Sequence, residues 1–135
     1  MGKWSKMIPS SEITDKITNH TVDFAKEFGT HLGTDDKDGF KTLRAKLTSS
    51  QIRKFFGEVK RQQMSGYNES EFVLLKPKLA YAVGRSTGSD PKIKDFYNVL
   101  SNAIDIVKSE DHFKNFIKIF EAIVAYHKAA EDNKL

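Results

Sequence analysis

The sequence predicts an all-α fold, a single-domain bundle of about five helices. Three observations carry that expectation. Apolar residues recur at helical spacing through most of the chain. Capping side chains, Thr48 and Ser109 among them, stand just ahead of these runs. And 135 residues, 39% of them hydrophobic and ten of them Phe, suffice for one buried core but not two.

In chain order, Ser10-Ser11 caps a first helix whose apolar face is Ile13, Ile17, Phe24 and Phe28 and which ends around Gly29. Gly33 to Gly39 reads as a loop rich in Asp, Thr and Gly. Its Asp35-Asp36-Lys37-Asp38-Gly39 run resembles a calcium loop. With Gly39 at the obligatory glycine, however, Thr34 takes the first ligand position and Ala45 the bidentate glutamate position, so calcium is not expected. Thr48-Ser49-Ser50-Gln51 is a capping box opening a helix that buries Ile52, Phe55, Phe56 and Val59. Arg53 and Lys60 emerge on one flank of that stripe, and Lys54 and Arg61 share its outer face. Gly57 between them costs about 1 kcal/mol relative to Ala; close approach by a neighbour or ligand, or simple tolerance, would account for it.

Pro77 interrupts the next helical region, residues 69–85, because it donates no amide and disfavours helical geometry at Lys76. A short helix over 69–75, a break, and a helix with Pro77 in its first turn follow. Lys78, Tyr81, Ala82 and Arg85 share a face opposite Leu79 and Val83, and Ser86 to Ser89 makes a loop. Asp90-Pro91 starts a fourth helix with Ile93, Phe96, Tyr97, Leu100, Ile104 and Val107 buried. Ser109 caps a fifth, where Glu110 and Asp111 suit the dipole and Phe113, Phe116, Ile117, Phe120, Ile123 and Val124 face the core. Beyond Lys128 the tail is polar and expected to fray. The chain reads as one helical domain over residues 1–135, with 1–40 its less certain helix-and-loop part.

Composition excludes several function classes. With no cysteine there is no disulfide and no thiolate metal site, which suits a reducing cytoplasm. No apolar run approaches the roughly 20 residues of a membrane span. Met1-Gly2-Lys3-Trp4-Ser5-Lys6 lacks a signal peptide's apolar core, and Lys6 stands where myristoylation wants Ser or Thr. No zinc-protease helix, phosphate-cradling glycine loop or nucleophile elbow occurs. His20, His31, His112 and His127 are scattered, the last two reading as surface or capping groups. No catalytic residue, metal or cofactor is expected.

Charge is the informative feature. Phe40 to Arg85 holds ten Lys and Arg against Glu58, Glu69 and Glu71, or +7, while the other residues carry 12 bases against 15 acids, or −3; the sum is the chain's +4. Placed positive charge suits a phosphate-rich partner, because each cation can release counterions condensed on a nucleic acid. A charge run alone usually means a solvated face. Here Arg53 with Lys60, and Lys78 with Arg85, each recur seven residues apart on one helical face. Tyr81, Ala82 and Gly84 would admit a backbone or base nearby. Tyr81 itself could stack on a nucleotide, bond within the bundle or touch another subunit, whereas Tyr126 is expected to pack.

Leu75-Lys76-Pro77-Lys78-Leu79-Ala80-Tyr81-Ala82-Val83-Gly84-Arg85, with Thr48-Ser49-Ser50-Gln51-Ile52-Arg53-Lys54-Phe55 and Ala125-Tyr126-His127-Lys128, resembles the small helical subunit of type III-A CRISPR (Csm) effector complexes. The resemblance covers about residues 42 to 128; residues 1–40 carry no recognised motif. It implies a non-catalytic subunit, several copies of which stack along the guide RNA–target RNA duplex among the other effector subunits. It carries the RNA-holding role onto Arg53, Lys76, Lys78 and Arg85; helix geometry adds Lys54, Lys60 and Arg61. The rival expectation is a helical interaction module whose basic face binds an acidic protein. A helix-turn-helix DNA reader fits less well, since the helix at Pro77 offers Lys78 and then mostly apolar residues. Membrane-surface binding would need exposed bulky apolar residues opposite a basic face.

Overall fold

The computed structural model describes residues 10–134, so the amino-terminal hexapeptide and its unmet lipidation pattern lie outside the described residues. In chain order the elements are α1 (Ser10–Thr14), α2 (Asn19–Leu32), β1 (Asp36–Asp38), β2 (Lys41–Arg44), α3 (Ser49–Ser65), α4 (Glu69–Val73), α5 (Leu75–Arg85), α6 (Ile93–Ile106) and α7 (Glu110–Glu131). Five of these helices have eleven residues or more and form the bundle; α1 and α4 are five-residue turns.

The longest helix, α7, is the spine, and its periodic Phe113, Phe116, Ile117, Phe120 and Ile123 are all buried as the spacing predicts. Phe120 meets Phe55 and Phe56 of α3 and Phe96 of α6 at ring-centroid distances of 5.3–5.8 Å. Phe72 of α4 packs edge-on against Phe113 and Phe116 at 5.3 and 5.2 Å. Pairs of this geometry contribute roughly 0.5–1.5 kcal/mol each beyond the area they bury. Val124 and Tyr97 sit half-buried against the same core, as do Phe56, Val83 and Tyr126.

Against α7 also lies α2, and here two backbones approach closely. A Cβ on Gly29 would stand 2.7 Å from the Ile123 carbonyl oxygen and 2.9 Å from the His127 amide nitrogen. Gly29 was expected to end the first helix; instead it lies inside α2, because the crossing needs a residue without a side chain. The predicted continuous first helix is likewise two. Glu12, buried in α1, accepts from the Thr18 and Thr21 hydroxyls, and Asn115 of α7 donates to the Ile13 and Asp15 carbonyls at 2.9 and 3.2 Å. These bonds hold a break over residues 15–18, where Ile17 is only half-buried.

The segment read as a loop begins an antiparallel hairpin, β1 pairing with β2 in the register Asp36↔Arg44, Lys37↔Thr42 and Asp38↔Lys41. Gly39 takes φ +65° at the first of two turn positions, where glycine is favoured. Among the described residues the three acidic side chains of the calcium-like run form no metal-holding group. Asp36 pairs with Lys92 at 2.9 Å, and Asp35 accepts the Lys46 amide. Arg44 fastens β2 to the start of α6 through Asp90 and Asp95, at 3.0 and 2.8 Å. His31 of α2 joins Asp95 at 2.7 Å. Ion pairs therefore dock this hairpin, and Phe40 at its tip is fully exposed, unlike the other nine Phe.

The carboxy-terminal tail does not fray at Lys128. α7 continues to Glu131, whose carboxylate accepts from the Ser49 amide at 3.1 Å and from its hydroxyl. That bond places a negative charge at the α3 N-terminus, where the helix dipole favours one. Among the described residues no helix is long and apolar enough to cross a membrane.

Candidate functional site

The capping box forms as read. The Thr48 hydroxyl accepts the Gln51 amide at 3.2 Å and the Gln51 side chain accepts the Thr48 amide at 2.8 Å, fixing where α3 starts and hence which way its bases point. On the other side, the Leu74 break lets α5 begin afresh with Pro77 in its first turn and Leu75 and Leu79 facing the core. Between these helices runs a cleft of about 850 Å³. Its floor is apolar, with Leu47, Phe55, Leu79, Ile93 and Phe96. Its rim carries Arg53 and Lys54 from α3 and Lys78, Tyr81 and Arg85 from α5.

Four of the seven nominated bases thus meet at one cleft: Arg53, Lys54, Lys78 and Arg85. The other three do not line it. Lys60 turns toward α7, where its ammonium pairs with Glu121 at 3.4 Å and lies over the Phe56 ring. Arg61 binds Glu58 at 2.7 Å and approaches Glu71 at 4.0 Å. Lys76 points away to α6 and pairs with Asp105 at 2.7 Å. The seven-residue spacing correctly put Lys78 and Arg85 together, but it separates Arg53 from Lys60, because the flank they share is divided between α5 and α7.

Pairing alters the electrostatics that composition suggested. Of the ten bases between Phe40 and Arg85, six have carboxylate partners: Arg44, Lys46, Lys60, Arg61, Lys76 and Lys78. Lys41, Arg53, Lys54 and Arg85 have none among the described residues. Arg85 instead lies 5.8 Å from the centroid of the Tyr81 ring, a cation–π arrangement. Among the described residues Glu58 is the one acid lining the cleft, and hydrogen bonds from Arg61 and then Lys78 hold its pKa down at about 2, so it stays ionised. With four bases against Glu58, the cleft carries +3.

Among the described residues Gly57 has no close neighbour: a Cβ there would meet nothing within 4 Å, so it lies open on α3. His112 caps as expected, its ring Nδ1 accepting the Lys108 amide at 3.1 Å. His127 does not. It is 1% exposed and bonds the Leu47 carbonyl oxygen through Nε2 at 2.6 Å, which ties α7 to the strand–helix link ahead of α3. A histidine near a helix end looked superficial only because α7 runs further than its sequence suggests. Among the described residues, no group of three or more His, Asp or Glu could hold a metal ion.

Residues 15–133 match the model of the family described as Csm2 Type III-A. The chain belongs to that family. No curated protein and no solved structure matches it. Csm2 proteins are small structural subunits of type III-A CRISPR effector complexes, and membership places this chain with other Csm subunits. The match reaches back to residue 15, so α2 and the hairpin, which carried no recognised motif, fall within the Csm2 region too. A mostly α bundle with one two-stranded sheet is what the described residues of this Csm2 chain form.

Proposed function

We propose that this chain is a non-catalytic RNA-holding subunit, working in the cytoplasm, several copies of which stack along the guide RNA–target RNA duplex beside the other effector subunits. The α3–α5 cleft is its contact with the sugar–phosphate backbone. Arg53, Lys54 and Arg85 provide the primary contacts and Lys78 a fourth, while Lys60, Arg61 and Lys76 serve as secondary cations that must exchange carboxylate for phosphate. The observation that carries this reading is the convergence on one cleft, between the two family-like motifs, of three cations with no acid partner among the described residues.

Such contacts are blind to sequence, since Lys and Arg bound to phosphate read no base, and A-form duplex hides its base edges in a deep groove. A subunit that accepts any guide needs this property; base pairing supplies the specificity. Each copy holds weakly and a row of copies adds up.

The test is a filter-binding titration of the isolated chain with duplex RNA between 0.05 and 0.2 M salt. Three phosphates neutralised give a log–log slope of about −2.7 and an affinity loss of about 40-fold over that range. Arg53→Glu should abolish retention with an unchanged circular dichroism melt. Salt-insensitive binding, or preference for one sequence, would overturn the proposal. An acidic peptide that competes where RNA does not would favour a protein-binding module instead.

A further inference from the structure

Phosphate contacts alone do not call for an apolar floor, yet this cleft has one. Leu47, Phe55, Leu79, Ile93 and Phe96 lie beneath a rim of cations, and Tyr81 stands on that rim 68% exposed. We infer that the cleft also receives one unstacked nucleotide of a single strand, its base against the Tyr81 ring and the apolar floor, its flanking phosphates on Arg53, Lys54 and Arg85. This deepens the RNA-holding reading and rests on it.

Four features fit that occupant. The cleft's roughly 850 Å³ falls within the range of about 300–1,000 Å³ typical of small-molecule sites. A nucleotide is amphipathic in the same way as the cleft, with a flat aromatic base and an anionic linkage. The +3 charge is complementary to phosphates on either side of the base, and Glu58 adds no net repulsion while Lys78 at 2.8 Å neutralises it. Finally, Arg85 lies over the Tyr81 ring, 5.8 Å from its centroid, so the side chain that would stack on a base is held beside one that would hold phosphate. Base–aromatic stacking tolerates any base, because every base has a π-face, so the site stays indifferent to sequence. A fully paired duplex cannot deliver a base to it. The site therefore distinguishes an unpaired or everted nucleotide from continuous helix.

The experiment uses the full chain and a decauridylate carrying one central 2-aminopurine, whose fluorescence is quenched by stacking, beside a duplex and a decamer with an abasic centre. Wild type should quench the probe and hold the intact decamer more tightly than the abasic one. Tyr81→Ala should remove the quench and lower affinity about 5- to 150-fold, the equivalent of ~1–3 kcal/mol of stacking. Tyr81→Phe should keep both. Tyr81 is exposed, so a melt should show both variants folded. Equal affinity for intact and abasic decamers, or a probe unquenched at saturation, overturns the inference while leaving duplex retention standing. Failure to retain either decamer or duplex overturns both readings together.

Discussion

Glu58 is the most instructive residue to change, because it neutralises the cleft from inside. Its carboxylate lies 2.8 Å from the Lys78 ammonium and 2.7 Å from the Arg61 guanidinium. Glu58→Gln should therefore separate two effects that oppose each other. The drop from 4.5 to about 2 corresponds to at most ~3.4 kcal/mol of native-state stabilisation at 1.36 kcal/mol per unit. Lys78 and Arg61 are 51% and 56% exposed, however. Solvent screening discounts the figure to about 1 kcal/mol. Thermal unfolding should fall by about 3–5 °C for a chain of this size. RNA affinity should move the other way. Removing one negative charge takes the cleft from +3 to +4 and frees Lys78. At 0.05 M salt this is worth ~1 kcal/mol for a phosphate at about 4 Å, or about fivefold tighter binding. The salt slope should steepen by about 0.9. Filter binding at several salt concentrations, beside a calorimetric melt, reads both. If the variant is less stable yet binds RNA no better, the phosphate contact lies elsewhere on the molecule.

Two further changes probe the scaffold. Gly29→Ala should destabilise the bundle by about 2–4 kcal/mol, since its methyl would press into the backbone of α7, and a denaturant melt should show it. Asp95 is buried, which raises its pKa, but hydrogen bonds from His31 and Arg44 outweigh burial and leave it below the usual 3.8. Its stabilisation is thus full above pH 3.8 and is lost as pH falls through the lower folded value. Asp95→Asn should cost about 1–3 kcal/mol at pH 7 and nearly nothing in strong acid, measurable by urea denaturation at both pH values.

What was legible in the sequence follows what local chemistry determines. The α3 start could be read because Thr48 and Gln51 satisfy each other within four residues. The faces of α6 and α7 could be read because one stripe of each meets a single core. The break after α1 could not, since it depends on Asn115, one hundred residues away from Asp15. The hairpin was missed for a related reason. Apart from Leu43 its strands are made of Asp, Lys, Thr and Arg, so no alternation of apolar and polar residues marks them, and what holds them down lies at positions 90–95. Gly39, the first turn residue, was the available clue. At the cleft, helical spacing gave the α5 pair Lys78 and Arg85 correctly. It did not give the acids donated by other helices, so Lys76 and Lys60 looked as available as Arg53.

Lys92 has a use beyond anchoring. Its ammonium, 1% exposed, joins Asp36 and the His31 carbonyl, while the far end of the hairpin at Gly39-Phe40 leans on nothing among the described residues. A hairpin fixed at its root and bare at its apex is a natural graft point. An epitope or fluorophore spliced between those two residues could report on assembly without disturbing the groove beyond α3.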